Sequence, residues 1–368
     1  MQEKKKVLLL DVAKTSKLEA RGRNYFVGAL YEGEINHDLG SQVDFEYRFV
    51  PMDERLEPIA SKYDAVIPWN SVDTCVSLSK QKIDNCIVFP EESIYAELDL
   101  KDKMTKFAFP AVIPQIPTLI AEDGDERMRE FLRDCEELGV TRLISKPVDG
   151  VGGIGISEKP IEDFAPDLVE GFVVQPCLED HRVWSIHFYN FENEIKGYYF
   201  EYYPPLPIEN HLTGRFAQIY LDKHANAKTE KIFKFTKSLC EKNDIRGVCG
   251  LEFLETRNGD LYLMEVNPRF TGAMHSVEKN GVHVYHHLIT RPYLRDCGVE
   301  IEQEVEFEFW ERDGEGYYYY PGAGWRDWTV RALRWCSRDF FGNPFLMLKF
   351  AYIITFNFGR KKTPTVLP

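Results

Sequence analysis

Leu251-Glu252-Phe253-Leu254 and Leu263-Met264-Glu265-Val266-Asn267-Pro268-Arg269, with Asn258-Gly259 midway between them, form the stretch on which the reading of this chain turns. Asn-Gly between two apolar runs is a hairpin signal, because both residues of a two-residue turn take positive φ. Such a turn sets the register, pairing position 257 with 260, 254 with 263 and 252 with 265. Glu252 and Glu265 are then expected directly opposite each other on one face, with Asn267 two residues further along it. Like charges so placed repel. The apolar neighbours predict a substantially buried pair, where unpaired charge is costly. A hard cation resolves the conflict. Two carboxylates and an amide oxygen suit Mg²⁺, which keeps some waters and takes further ligands from substrate phosphates. One protonated glutamate, or a pairing with Arg269, would resolve it as well.

A second element points at phosphate. Leu143-Ile144-Ser145-Lys146-Pro147 reads as a strand end, and Gly150-Val151-Gly152-Gly153-Ile154-Gly155 follows it. Glycines so dense let backbone N–H groups approach an anion closely. No Gly-Lys-Ser/Thr follows, so this is not a Walker loop, and no amphipathic helix opens after it as a dinucleotide fingerprint requires. A glycine-rich hairpin with no ligand is the alternative reading of the loop alone.

Taken in order along the chain, these motifs resemble the ATP-grasp superfamily, in particular its carboxylate–amine ligases and the ATP-binding halves of carbamoyl-phosphate synthetase. A nucleotide-binding lysine early in the lid is matched by Lys103 in Lys101-Asp102-Lys103-Met104. A lysine before a phosphate loop is matched by Lys146 with Gly150, Gly152, Gly153 and Gly155. The strand and linker that hold adenine are matched by Phe172 to Glu179, with Gln175, Cys177 and Leu178 at the contact positions, although Gln175-Pro176 departs from the commoner acidic residue. The closing Glu … Glu-x-Asn-x-Arg signature is matched by Glu252, Glu265, Asn267 and Arg269.

The resemblance covers roughly residues 60 to 295 and implies an α/β fold; with the pattern and charge of the flanking segments, the chain divides into four parts. These are a Rossmann-like unit over 1–100, a lid over 101–175, a central subdomain over 176–295 and a basic, aromatic, helical C-terminal extension over 296–368. It implies ATP with Mg²⁺ or Mn²⁺, as two ions, held by Glu252, Glu265 and Asn267. Lys103 and Lys146 would neutralise the phosphate chain, Gly152, Gly153 and Gly155 would cover the transferring group, and Arg269 would stabilise charge on an acyl phosphate. The implied reaction activates a small carboxylic acid and joins it to an amine, releasing ADP and phosphate. Phosphorylation of carbamate or bicarbonate, a non-catalytic ATP-binding assembly protein and a membrane-associated binding protein are the competing readings.

Composition agrees without deciding. A chain of 368 residues predicts two or three units, and 44% hydrophobic with 28% charged residues is ordinary for a soluble globular protein. A net charge of −14 argues against nucleic acid as the main partner. Eight cysteines without Cys-x-x-Cys or zinc spacing read as reduced thiols of a cytoplasmic protein. The basic Met1 to Lys6 precedes an apolar stretch too short for a signal peptide, which reads as a first strand.

Within the first unit, strands are expected at Val7 to Leu10, Phe45 to Val50, Ala65 to Pro68 and Ile87 to Phe89, with helices from about Asn24 and near Thr74 to Lys80. Asp11-Val12-Ala13-Lys14-Thr15 follows directly after the first strand, at the carboxyl end where open sheets bind ligands, and reads equally as a plain strand-to-helix loop. Further helices are expected at Asp125 to Leu138 and Thr229 to Lys242. His187, His211, Arg215, Lys223 and His275 fall where substrate-facing side chains occur in similar chains. From Trp325 onward the tail carries a local +6, which leaves −20 for the rest. Its apolar run Phe345 to Phe358 is short of the roughly 20 residues a bilayer span needs. The tail, basic through 325–362, is expected to dock on the acidic core or on a second copy in a homodimer. The alternative is a membrane interface.

Overall fold

The computed structural model describes residues 3–14, 16–17, 20, 42–69, 71–107, 109–149, 155–164, 171–178, 181–203, 215–220, 223–270 and 286–301. The expected helix from Asn24, Gly150, Gly152 and Gly153, Glu179, His211, His275 and the whole basic tail lie outside these residues.

The chain begins with a parallel three-stranded sheet, β1 (Lys5–Ala13), β2 (Val43–Pro51) and β3 (Ala65–Pro68), in the order β2-β1-β3. An apolar run buried on both faces is what a central parallel strand requires. Val7 and Leu9 enter one core, while Leu8, Leu10 and Val12 enter another with Leu56, Ala60 and Leu78. The helices here are α1 (Glu57–Ala60), α2 (Val72–Gln81), α3 (Glu92–Asp99) and α4 (Lys101–Met104). Ile87 to Phe89, expected as a strand, pairs with no neighbouring strand. Tyr293 explains why: its hydroxyl accepts from the Ile87 N–H and donates to the Val66 carbonyl, so a side chain occupies part of the segment's backbone bonding.

A second unit follows: α5 (Asp125–Glu137) packs on an antiparallel sheet of β4 (Arg142–Pro147), β5 (Ser157–Pro160) and β6 (Phe172–Pro176), ordered β5-β4-β6. Phe131 and Cys135 of the helix meet Leu143 and Val174 of the sheet. The largest sheet is antiparallel and five-stranded: β7 (Arg182–Phe191), β8 (Glu194–Tyr203), β9 (Arg215–Tyr220), β10 (Gly247–Glu255) and β11 (Leu261–Asn267), ordered β11-β10-β7-β8-β9. Helix α6 (Ala227–Asn243), opened by an Asn226/Thr229 capping box, covers one face with Ile232, Phe235 and Leu239 against Trp184, Ile186, Phe188 and Phe253. On the other face Tyr189, Tyr198, Phe200 and Val248 share a core with Val7, Leu9 and Phe45 of the parallel sheet and with Tyr293 of α7 (Arg291–Asp296). Among the described residues, no helix is long and apolar enough to cross a membrane.

One short segment ties the two antiparallel sheets together. The Ile116 N–H donates to Leu263 O at 3.0 Å and the Leu263 N–H to Pro114 O at 2.7 Å, while Leu119 and Val174 exchange both backbone bonds. Strands β11 and β6 are thereby held from one piece of chain.

Candidate functional site

The hairpin β10–β11 brings Glu252 directly opposite Glu265, by a route that differs from the expected one. Its loop has three residues, Arg257, Asn258 and Gly259. It is closed by Thr256 N–H to Asp260 O and Gly259 N–H to Thr256 O, both at 2.9 Å. Of the three, only Gly259 takes positive φ, at 86°, the pattern of a three-residue loop ending in a left-handed residue. Leu254 therefore pairs with Tyr262 and not with Leu263, one residue off the expected register. A bulge between Glu252 and Phe253 then shifts the ladder back, so that Glu252 meets Glu265 and Gly250 meets Asn267.

The row continues onto β7. Glu252 is flanked on its other side by Ser185, and Gly250 by His187. Paired residues of neighbouring strands share a face. That face therefore carries Glu265, Glu252 and Ser185 in one row and Asn267, Gly250 and His187 in the next. The glutamates are less buried than expected: the Glu265 side chain retains 28% of its exposure.

Basic side chains converge on the row from other elements. Lys101 of α4 sits 3.7 Å from Glu265 Oε1. Its N–H bonds to Val148 O, two residues beyond Lys146, which holds the two lysines in one neighbourhood. Lys146 has its amine pushed below the usual lysine range, chiefly by desolvation; Glu265 opposes the shift, Lys101 adds to it and Glu252 opposes it again. Lys103, in contrast, is exposed. Two positions on a helix are turned about 200° apart, so Lys101 and Lys103 cannot both face the carboxylates. The family-like spacing pointed at Lys103, while the lysine at the glutamates is Lys101.

Arg269 follows the hairpin and is locally clamped. Its Nη2 donates to Asn267 Oδ1 at 3.0 Å and its Nη1 to Phe270 O at 3.2 Å. Asp99, at the end of α3, completes the group. Desolvation raises its carboxyl, Arg269 opposes that, Glu265 adds to it and Lys101 opposes it. Three carboxylates and three cations thus meet around the hairpin. His187 is buried, stacked on Phe200 at 4.9 Å between ring centroids. Desolvation, reinforced by Arg269, lowers its pKa to about 3.

Among the described residues, no group of three or more His, Cys, Asp or Glu is gathered to hold a metal ion. The donor set here is two carboxylates and the Asn267 amide, an incomplete oxygen shell. It fits Mg²⁺ or Mn²⁺, which fill the remaining positions with water and phosphate oxygens. The buried Ser185 hydroxyl, which has no hydrogen-bond partner, adds an unsatisfied polar atom to the same row.

The remaining expected residues are placed as follows. Gln175 is buried on β6, donates through Nε2 to Thr118 Oγ1 at 3.0 Å and keeps Oε1 without a partner. Cys177 donates its N–H to Arg142 O at 2.9 Å, and Leu178 is buried with Ile116, Val183 and Leu254. Gly155 takes φ +79°, and a Cβ there would lie 2.8 Å from Pro147 Cγ, so only glycine lets the loop return past β4. Lys223 lies over the Phe233 ring, away from the row. Asp11 ends up inside β1, where Tyr47 OH and Thr74 Oγ1 donate to it. The described cysteines are free thiols, and burial raises Cys135 to about 12, which leaves it inert at neutral pH. Lys101, Asp99 and Ser185 carried no sequence signal; only the packing brings them to the hairpin.

Residues 126–273 match the family model of the ATP-grasp domain. No curated protein matches the chain in sequence. Among solved structures, N5-carboxyaminoimidazole synthetase from Staphylococcus aureus, complexed with ADP, is similar at a TM-score of 0.55 and 13% identity, over 82% of this chain and 80% of that one. N5-carboxyaminoimidazole ribonucleotide synthetase from Thermotoga maritima is similar at a TM-score of 0.51 and 14% identity, over 82% and 78%. At such identity the likeness concerns the fold.

Proposed function

Residues 126–273 match the ATP-grasp domain, and from that premise we propose that this chain is an ATP-grasp enzyme, an ATP-dependent ligase. It phosphorylates a small carboxylic acid to an acyl phosphate and joins the acyl group to an amine, releasing ADP and phosphate. The observation that carries this reading is the Glu252–Glu265 pair with Lys101, Lys146 and Arg269 gathered on it.

A carboxylate resists attack by an amine until one of its oxygens becomes a leaving group, and transfer of a phosphoryl group supplies that. Glu252, Glu265 and Asn267 would hold Mg²⁺, which when bound neutralises β- and γ-phosphate charge. Lys101 and Lys146 contact phosphate oxygens. Lys103 is better placed to meet solvent. Gln175 Oε1, a buried acceptor fixed in orientation by Thr118, receives a hydrogen bond from the amino group of adenine. Arg269, already oriented by Asn267 and Phe270, faces the negative charge that develops on the acceptor, a role commonly worth about 3 kcal/mol for a single donor. His187 remains neutral and stacked, which suits an orienting wall more than a proton acceptor. Gly152, Gly153 and Gly155 would cover the transferring group and exclude water from it. The division into 1–100, 101–175, 176–295 and 296–368 belongs to the same proposal, the first unit helping to bind the acceptor.

The test is ADP release by the purified chain with ATP and Mg²⁺ across pools of amino acids, small carboxylic acids and uronic acids, with hydroxylamine added to capture acyl phosphates as hydroxamates. The proposal expects ADP release dependent on an acid, hydroxamate without amine, and amide with it. ADP release independent of any carboxylate, or bound ATP with no release in any pool, would overturn it.

A further inference from the structure

Ser185 is the one member of the carboxylate row to which no role has been given. It stands on β7 directly beside Glu252, as Glu265 does on the other side, so that Ser185, Glu252 and Glu265 form one line across three strands on one face. The residue is fully buried and its hydroxyl has no hydrogen-bond partner. Its neighbour on β8 is Phe200, and beyond the carboxylates, Asn267 and His187 the face is aromatic and apolar. A position of this kind favours alanine or a larger apolar residue, because a buried hydroxyl without a partner is destabilising and a methyl group is not. A serine there makes physical sense if its partner arrives with a ligand.

Resting on the ligase reading above, we propose that Ser185 is a positioning residue for the cation site. Its hydroxyl donates to the Glu252 carboxylate once that carboxylate turns toward a bound divalent cation, and so fixes which oxygen faces the ion. Cross-strand partners have Cβ atoms roughly 4.5–5.5 Å apart, within which a serine hydroxyl reaches a glutamate oxygen through ordinary rotamers. The bond is charge-assisted and fixes the orientation of the carboxylate. Partners of this kind typically set metal affinity by about 10- to 100-fold.

The experiment uses the full chain with Mn²⁺ as the probe. Free Mn²⁺ is followed by its electron paramagnetic resonance signal in the presence of saturating ADP, and ADP binding is measured separately by calorimetry in EDTA. Ser185→Ala is expected to weaken Mn²⁺ binding about 10- to 100-fold, with ADP affinity in EDTA unchanged. The cation-free thermal midpoint of that variant should be equal or higher, since an unpartnered hydroxyl has been removed. Ser185→Thr, which restores the hydroxyl, is expected to recover most of the Mn²⁺ affinity. Equal Mn²⁺ binding by wild type and Ser185→Ala would overturn the inference and leave the ligase reading standing. Equal loss of Mn²⁺ and of cation-free ADP binding would overturn it too, pointing to a general packing role. Failure of the wild type to bind Mn²⁺ with ADP would strike the cation site itself, and the inference with it.

Discussion

Acid should destabilise this protein through His187, and the size of the effect follows from its surroundings. The imidazole is buried on β7, parallel to Phe200 at 4.9 Å and tilted toward Tyr198 at 5.6 Å. Desolvation, and secondarily Arg269, hold its pKa at about 3, whereas in the unfolded chain it returns to about 6.5. The folded form is therefore neutral where the unfolded form is protonated. Unfolded chains bind the extra proton between these values, so stability is intact above pH 6.5 and declines as pH falls toward 3. At pH 5 the gap to the unfolded value is about 1.5 units, which at 1.36 kcal/mol per unit is about 2 kcal/mol. His187→Phe keeps a stackable ring and removes the proton. Urea unfolding followed by tryptophan fluorescence at pH 7 and pH 5 should show wild type losing about 2 kcal/mol more than the variant. Acid-sensitive groups elsewhere act on both proteins and cancel in the comparison. Equal losses in the two proteins would refute the burial argument.

Further outcomes follow from the same geometry. Lys101→Ala should raise the ATP KM or lower kcat by about 10- to 100-fold, the range of a hydrogen bond to a charged group, while Lys103→Ala stays within about threefold of wild type; steady-state ADP release distinguishes them, and the reverse order would return the role to Lys103. Gln175→Leu should raise the ATP KM about tenfold with kcat unchanged, and an unaltered KM would remove Gln175 from the adenine contact. Gly197→Ala should lower stability by about 2–3 kcal/mol, because the new Cβ would meet His187 O and Phe188 Cβ, the latter at 2.7 Å. A thermal midpoint unchanged by that substitution would contradict the close pairing of β7 and β8.

Much of the site was legible because chemistry and periodicity coincide in the hairpin. Asn258-Gly259 marked the reversal, and two glutamates in opposed apolar runs marked a conflict of like charges on one face. The turn was read one residue too short, yet Glu252 still meets Glu265 because the bulge beside Glu252 removes the offset. A bulge has no signature in a run such as Leu263-Met264-Glu265, where either face accepts an apolar residue. The resemblance pointed to Lys103, and only the orientation of α4 shows that the lysine beside Glu265 is Lys101 while Lys103 is exposed. Strands β1 to β3 were plain from their apolar runs, while Ile87 to Phe89 has the same composition and pairs with no strand, since the Tyr293 and Tyr95 hydroxyls accept from the Ile87 and Phe89 N–H groups. Ser185 could not be singled out, because a serine inside Val183 to Phe188 gains meaning only once β7 is known to lie beside β10.

The most direct test of the central claim is ADP formation by Glu265→Gln, compared with wild type at saturating ATP and Mg²⁺ in the acid and amine pool that supports turnover. Glutamine keeps the size and the strand pairing but removes the negative charge that faces Glu252. ADP formation is expected to be abolished while the protein stays folded, because glutamine preserves the size and strand pairing of the side chain. Undiminished turnover in a folded Glu265→Gln protein would contradict it.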